Sequence, residues 1–252
     1  MAGITIVIGL IGLAAGALIG CVGVGGVIVV PALVYGLGFA IQDAIASAMI
    51  GYIFTGAMGT AIYARSRSIR WDLAGWIALG AGPGALAGAW AINFVDPRAL
   101  ELGVGALSLL SGLNAMLSRR GRQGGASATL DPKRLLVIGV LTGALSAVTG
   151  TGGPLVLVPI LIWLQLPTLA AVGLSQAAQI PIAILATFGN FRYGSPDISG
   201  GLALGIGLTV GTLVGAKAAH AMPRKLLERI AAIVLIMVGA LILIRLGVKQ
   251  LA

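Results

Sequence analysis

The segment GTGGPLVLVPIL, at residues 150–161, places a glycine cluster in the middle of a long apolar stretch. A second segment, GVGGVIVVPAL at residues 23–33, does the same near the start of the chain. The surrounding stretches, 4–39 and 135–166, are too long for one membrane-spanning helix and too short for two comfortable spans. We therefore predict that each is a pair of short or half-length helices joined by an irregular turn. A bilayer tolerates such a turn only where it is buried in protein or lines a cavity.

The composition is that of a membrane protein. Of 252 residues, 58% are apolar and only 9% are charged, whereas an ordinary soluble domain carries about a quarter charged residues. The apolar runs lack the alternation of barrel strands, so we predict an all-α, multi-pass protein of the cell membrane, cytoplasmic or inner. At about 1.5 Å per residue, a span needs roughly 20 residues. Six stretches reach that length: 44–64, 73–94, 99–117, 169–189, 201–220 and 230–246.

Several function classes are excluded by what the chain lacks. One Cys and one His cannot form an internal disulfide or an imidazole cluster for a metal, so we expect no cofactor. No His lies near a candidate nucleophile, and no GxxxxGK[ST] motif is present, so we expect neither an enzyme nor an ATPase. The net charge of +9 falls in short connections between apolar segments, which indicates membrane orientation and not nucleic acid binding.

The chain reads as an internal duplication. Setting residue n against n+127, with drifts of one or two positions, aligns Gly25 and Gly26 with Gly152 and Gly153. Other aligned pairs are Gly16 and Gly143, Pro31 and Pro159, Ser47 and Ser175, Asp72 and Asp197, Gly84 and Gly211, Gly88 and Gly215, and Pro97-Arg98 and Pro223-Arg224. We predict a first transmembrane repeat at 1–117, a polar cytoplasmic linker at 118–134 and a second repeat at 135–252.

The basic residues allow two orientations of these repeats. If each glycine-broken stretch is a hairpin that returns to its starting side, the repeats are inverted and twelve of the sixteen Lys and Arg residues share one side. If each stretch crosses once, the repeats are parallel and the count is eleven. We favour the inverted arrangement, with both termini outside, because it also explains the mid-segment glycines and the N-terminal segment without Lys or Arg.

The glycine clusters are candidate substrate-binding elements. A half-helix that begins within the membrane points unpaired N–H groups and a positive dipole end at the space before it, which suits a small anion. Pro154 fits the first helical position, where its missing N–H is not needed. The competing interpretation is a small-residue helix-packing motif. Recurrence in both halves favours the anion site, built from Gly23, Gly25, Gly26, Gly152 and Gly153.

Polar residues within apolar spans are the second group of candidates, because they are costly in hydrocarbon. Their hydroxyls and amides can donate hydrogen bonds to an anion without adding fixed charge. They are Ser47, Thr149, Thr151, Ser175, Gln176 and Gln179. For each of them, an interhelical hydrogen bond without a ligand is the alternative.

Two charged residues complete the candidate set. Arg192 is a possible counter-charge for a sulfonate or carboxylate, and equally a membrane-interface anchor. Asp43 is the one acid near the start of a long span and the one candidate carboxylate proton relay for coupling, and the interpretation we favour for it is an ordinary helix N-terminal charge.

With these residues identified, the chain resembles the sulfite exporter TauE/SafE family, also called the toluene sulfonate uptake permease family. The resemblance covers nearly the whole chain and rests on GVGGVIVVPAL, Ala46-Ser47, Ile69-Arg70-Trp71-Asp72, the glycine-rich span 80–88, GTGGPLVLVPIL and Ser175-Gln176. It implies a membrane permease for sulfite, organosulfonates or other small organic anions. It also implies that the paired glycine motifs and the helix of Ser175 belong to the substrate path.

We therefore predict a secondary active transporter, a permease or exporter, of small sulfur-containing anions working by alternating access. The expected partners are a small anionic substrate and the lipid bilayer, with a homodimer left open. Two alternatives remain: a passive anion channel, and a non-transporting membrane subunit of a sulfur-metabolism complex. The sequence leaves open the preferred anion, the direction of transport and the coupling ion.

Overall fold

The computed structural model describes residues 2–22, 25–117, 131–164, 166–193, 197–221 and 224–251, and it is all-helical over these residues. We number the α-helices α1 to α10 in chain order. They are α1 Ala2–Val22, α2 Gly26–Pro31, α3 Ile41–Arg65, α4 Trp71–Ala91, α5 Pro97–Leu117, α6 Pro132–Thr149, α7 Pro154–Trp163, α8 Thr168–Tyr193, α9 Ile198–Ala221 and α10 Arg224–Leu251. Helix α2 continues directly into a π-helix, Ala32–Gly36, and α4 into a short 3₁₀ turn, Ile92–Phe94.

The glycine-broken stretches differ from the prediction of two short helices each. Helices α1 and α6 have 21 and 18 residues, which is long enough to cross a membrane. Only the second member of each pair is short: α2 with its π-helix has 6 and 5 residues, and α7 has 10. Helices α1 and α6 begin before the apolar stretches, at Ala2 and Pro132, so a full-length helix precedes each turn and a half-length helix follows it.

Six helices within the described residues are long and apolar enough to span a membrane: α1, α3, α4, α6, α8 and α9. The sequence also predicted six full-length spans, but two of the six helices are different: α1 and α6 take the place of α5 and α10. Helix α5 is not among them, and α10 contributes a shorter apolar segment, Ala232–Val248. Helices α3 and α8 are the most buried of the six, at 61% and 67% of their spans, so they form the centre of the bundle.

Neighbouring residues reveal the helix directions. Ile50 and Phe54 of α3 lie beside Gly201 and Gly205 of α9, so these two helices run in the same direction. Helix α1 also runs parallel to α9, because Gly9 contacts Gly207 and Ala17 contacts Gly215 at the other end of the interface. Since α1 and α3 therefore point the same way, the half-length α2 between them returns toward the side on which α1 begins.

Helices of the second half run opposite to the first-half helices that the sequence aligns with them. Helix α8 runs antiparallel to α3, with Gly56 beside Ile180 and Gly59 beside Gln176. Helix α10 likewise runs antiparallel to α5, and α6 runs parallel to α4. Each of these second-half helices therefore runs opposite to the first-half helix that the sequence aligns with it, while the inverted repeats themselves stay a prediction.

The close helix contacts recur at a spacing of 127 residues. Gly84 of α4 contacts Val140 of α6, and Gly211 of α9 contacts Leu13 of α1. Three further contacts have an equivalent 127 residues away. The contact Gly80–Leu136 corresponds to Gly207–Gly9, Gly88–Ala144 corresponds to Gly215–Ala17, and Gly139–Ala81 corresponds to Gly12–Leu208. These are the contacts that two equivalent halves would make, while the common origin of the halves stays a prediction.

The helix directions place most of the described basic residues on one side. That side, called the basic side below, carries the α3–α4 connection, the end of α5, the start of α6, the end of α9 and the start of α10. Of the Lys and Arg side chains that the structure describes, it carries Arg65, Arg67, Arg70, Lys133, Arg134, Lys217 and Arg229. The side at the other ends of these helices, called the opposite side below, carries Arg98, Arg192 and Arg245.

Candidate functional site

The turns before α2 and α7 meet in the centre of the protein. A Cβ atom built on Gly26 would lie 2.8 Å from the carbonyl oxygen of Thr151, so the two backbones are in direct contact. Both residues belong to the predicted motifs, one from each half of the chain. The structure therefore brings the two glycine turns together.

The second turn depends on glycine for its shape. Gly150, Gly152 and Gly153 have φ angles of +67°, +78° and +111°, a region that residues with a Cβ rarely adopt. Helix α7 then begins with Pro154 at its first position, and the carbonyl oxygen of Gly153 accepts from the backbone N–H of Leu157 at 3.0 Å. Pro154 has no N–H to leave unpaired, which suits this start.

Tyr52 lies between the two turns and was missed by the sequence analysis. Its hydroxyl donates to the carbonyl oxygen of Gly26 at 2.6 Å, and its side chain is 1% exposed. Its ring covers Gly152, where an added Cβ would lie 2.8 Å from the Cδ2 atom of Tyr52. The one sequence feature that could have identified Tyr52 is its phenol in the middle of the apolar span 44–64.

Gln179 joins α8 to α3 at the same level. Its Nε2 atom donates to the backbone carbonyl of Tyr52 at 3.0 Å and to the hydroxyl of Thr55 at 2.7 Å. The Thr55 hydroxyl in turn donates to the Tyr52 carbonyl at 3.2 Å. Gln179 is 1% exposed, so these bonds form inside the bundle. The interhelical bond considered as an alternative is therefore present, and any contact with substrate stays a prediction.

The two threonines of the second motif form a pair. Thr149 donates to the carbonyl of Leu145 at 2.7 Å, and the two hydroxyl oxygens of Thr149 and Thr151 are 3.0 Å apart. Both residues are buried. Of the two, Thr151 borders the central gap, while Thr149 lies behind it and supports its hydroxyl.

The remaining polar candidates, Ser47, Ser175 and Gln176, are all buried, but they differ in whether their side chains are hydrogen-bonded. Ser175 donates to the carbonyl of Val172 within its own helix at 2.8 Å. Within the described part of the chain, the Ser47 hydroxyl and the Oε1 atom of Gln176 are buried without a hydrogen-bond partner. Gln176 packs directly against Gly59 of α3. Unpaired groups of this kind are costly in a protein interior, so each has unused capacity for water or a ligand.

The other four predicted residues are Gly23, Gly25, Arg192 and Asp43. Gly23 falls outside the described residues. Gly25 is buried against Ala15 and Ile19 of α1. Arg192 is exposed in the last turn of α8, about 20 Å along the helix from Gln179. Asp43 is partly exposed in the first turn of α3. The structure does not bring Arg192 or Asp43 to the two turns.

The central gap is small and carries no fixed charge. It is bordered by Ile19, Gly26, Tyr52, Thr151, Pro154, Leu155 and Gln179. Polar groups come from a phenol, a hydroxyl, an amide and the start of two helices, and the walls are otherwise apolar. The gap is narrower than a small oxyanion, so an anion could enter only if the side chain of Tyr52 or one of the turns moved.

A metal centre is not present in the part of the chain that the structure describes. No three His, Cys, Asp or Glu side chains there are grouped closely enough to hold an ion. The polar groups that border the gap are neutral hydrogen-bonding side chains and the starts of two helices.

The Gln179 bonds give a testable effect on stability. Replacing Gln179 with Leu leaves the Tyr52 carbonyl and the Thr55 hydroxyl without this donor, so we expect a loss of about 1 to 2 kcal/mol in the free energy of unfolding. Thermal unfolding in detergent measures it. The matched control is Gln42→Leu, because Gln42 is partly exposed and makes no side-chain hydrogen bond in the described region. Equal melting temperatures for the two variants would contradict the assignment.

Comparisons with known proteins cover almost the whole chain. A family model described as Sulfite exporter TauE/SafE matches residues 8–242. The curated protein "Probable membrane transporter protein YunE" of Bacillus subtilis (strain 168) is 26% identical over 261 residues, covering 94% of this chain and 95% of that protein. No solved structure shows a significant match.

Proposed function

The chain belongs to the sulfite exporter TauE/SafE family, and from this membership we propose that it is a secondary active transporter of small sulfur-containing anions such as sulfite or organosulfonates. It is a membrane transporter by family and has six helices able to span a bilayer within its described residues. The substrate class and the mechanism are our proposal.

The observation that carries the proposal is the meeting of Gly26 and Thr151 beside Tyr52 and Gln179. It joins both halves of the chain at the centre of the two most buried spans, α3 and α8. Two half-length helices start there, and substrate sites of secondary transporters are often built from such discontinuous helices near the bilayer midplane.

An anion in this place would be held by donors and not by a cation. The first turn of α2, which extends through its π-helix, and the N–H of Leu155 in α7 supply the backbone donors and positive dipole ends, because Pro154 has no N–H and Val156 donates to Gly153. The Gln179 amide donates to Tyr52 and Thr55, and the Thr151 hydroxyl donates to Thr149, so both would serve an anion only by exchanging these bonds. A site without Lys or Arg binds moderately, which suits a carrier because the substrate must also leave.

Alternating access follows from the same geometry. Tyr52 closes the gap by hydrogen bonding to Gly26 and covering Gly152. Movement of Tyr52 would break its bond to Gly26, open the gap and free its hydroxyl to donate to the substrate. The inverted directions of the two halves then provide two related conformations, one open to each side. We place the basic side in the cytoplasm and both termini outside.

Counterflow in proteoliposomes tests the proposed function. Vesicles containing the purified protein are preloaded with unlabelled sulfite, sulfoacetate, thiosulfate, taurine or acetate, and entry of labelled sulfite is followed. We expect transient accumulation of label above its equilibrium level with a sulfur oxyanion and none with acetate, because a carrier exchanges its own substrates.

Protein-free vesicles give the background for this assay. Equilibration of label without accumulation, whatever the internal anion, would replace the carrier by a passive anion channel. No entry at all from folded protein, together with a stoichiometric co-purifying partner, would favour the non-transporting subunit.

A further inference from the structure

A second polar cluster lies at the other end of the half-helix that borders the proposed substrate site. The hydroxyl of Tyr35, in the π-helix after α2, donates to the Oε2 atom of Glu101 in α5 at 2.8 Å. The guanidinium carbon of Arg245, in α10, lies 5.0 Å from the centre of the Tyr35 ring, within the range of a cation–π contact. The cluster thus connects three elements on the opposite side of the bundle.

Glu101 differs from the other acids whose side chains the structure describes. Asp43 and Asp72 lie in the first turns of their helices, while Asp96, Asp131 and Asp197 precede helices. Such positions favour an ionised carboxylate near the helix dipole and surface water. Glu101 is instead one turn further into its helix, partly buried, and bonded to a residue 66 positions away.

A cavity beside Glu101 separates the half-helix from α5 and α10. Its walls are Val30, Pro31, Val34, Tyr35, Ile41, Glu101, Val104 and Ile242. The walls are otherwise apolar, so the hydrogen bond from Tyr35 to Glu101 is the polar connection across this cavity. The bond therefore holds the outer end of the half-helix against α5.

We propose that Glu101 is a proton-binding site that controls transport by holding or releasing this half-helix through Tyr35. The proposal rests on the proposed function, since the half-helix runs about 13 Å from Tyr35 to Gly26 at the substrate site. An ionised carboxylate accepts a stronger hydrogen bond than a protonated one. A proton taken from the water on the opposite side therefore weakens the connection and frees the half-helix to move.

The charged groups around Glu101 agree with this role. Tyr35 faces it from the π-helix, Arg245 of α10 lies over the Tyr35 ring, and Arg98 lies three residues before Glu101 on α5. Helix α3 contributes Ile41 to the cavity, with Asp43 two residues further along. Helix α7 has no titratable residue, and the Lys and Arg of α6 are at its basic end. The π-helix adds to the argument because such segments are frequent at functional sites.

The transport test uses an organosulfonate whose charge is constant between about pH 4 and pH 8, because sulfite itself titrates in this range. We expect wild-type counterflow to rise about fivefold as the external pH falls from about 8 to about 4. Glu101→Gln and Tyr35→Phe should both lose this pH response and remain fast at all pH values. Asp72→Asn, on the basic side, is the control and should keep the response.

A spin label on Val34 gives a second measurement that does not depend on transport. With Cys21 replaced by Ala and Val34 by Cys, label mobility should rise on acidification, and should be high throughout in the Tyr35→Phe background. Tyr35→Phe removes one hydroxyl, so it decides the question even if Glu101→Gln fails to fold. A mobility that ignores pH overturns the proton site while leaving the transporter intact. Loss of the pH response in Asp43→Asn but not in Glu101→Gln would assign the role to Asp43 and overturn the proposal.

Discussion

Counterflow by the Gly152→Leu variant should fall on the order of a hundredfold, while the protein still inserts and purifies. Gly152 has a φ of +78°, and a Cβ there would lie 2.8 Å from the Tyr52 ring. A leucine side chain would both strain the turn and push into the space between the glycine turns. Labelled sulfite exchange in proteoliposomes, normalised to monodisperse protein, measures the loss.

The chain offers a matched control for the backbone strain. Gly38 has a φ of +75°, nearly that of Gly152, but nothing lies within 4 Å of its added Cβ. Gly38→Leu carries a similar conformational cost outside the site, so it should keep most of its activity. If Gly152→Leu cannot be recovered, Gly152→Ala decides with a single methyl group and an expected loss of about tenfold. Wild-type exchange in Gly152→Ala would remove the turn from the substrate path.

The global architecture could be predicted because hydrocarbon leaves few solutions. A chain with 58% apolar residues and no strand alternation must satisfy its backbone within helices. The position of each break was visible in the Gly150 to Pro154 cluster, and helix directions followed from treating the break as a return. Helix lengths at the break were not predictable, because Gly is common in membrane helices and does not by itself end one.

The site was only partly predictable because its bonds join distant positions. Gln179 was a candidate as a polar residue in a span, but its partners Thr55 and Tyr52 are 124 and 127 positions away. Tyr52 gave a weak signal, since a phenol in an apolar helix is equally typical of a membrane interface. Glu101 was not a candidate at all: its importance depends on Tyr35, and nothing in its local sequence indicates that contact.

The largest loss of stability should come from two glycines that the duplication aligns, Gly84 and Gly211. Gly84 of α4 packs against the backbone of Val140 in α6, and Gly211 of α9 packs against Leu13 in α1. A leucine at either position must separate two helix backbones along a small-residue interface. We expect each variant to lose more than about 3 kcal/mol in the free energy of unfolding. Size-exclusion profiles after heating in detergent give the apparent Tm of each.

Equal effects at the two positions are the informative part of this prediction. If the halves are structurally equivalent, Gly84→Leu and Gly211→Leu break corresponding contacts and should lower the apparent Tm by similar amounts. Gly75→Leu is the control in α4, because nothing lies within 4 Å of its Cβ and the position is exposed. A large loss at Gly84 with none at Gly211 would mean that only one interface supports the bundle. The inverted halves would then not share the packing that alternating access between related conformations requires.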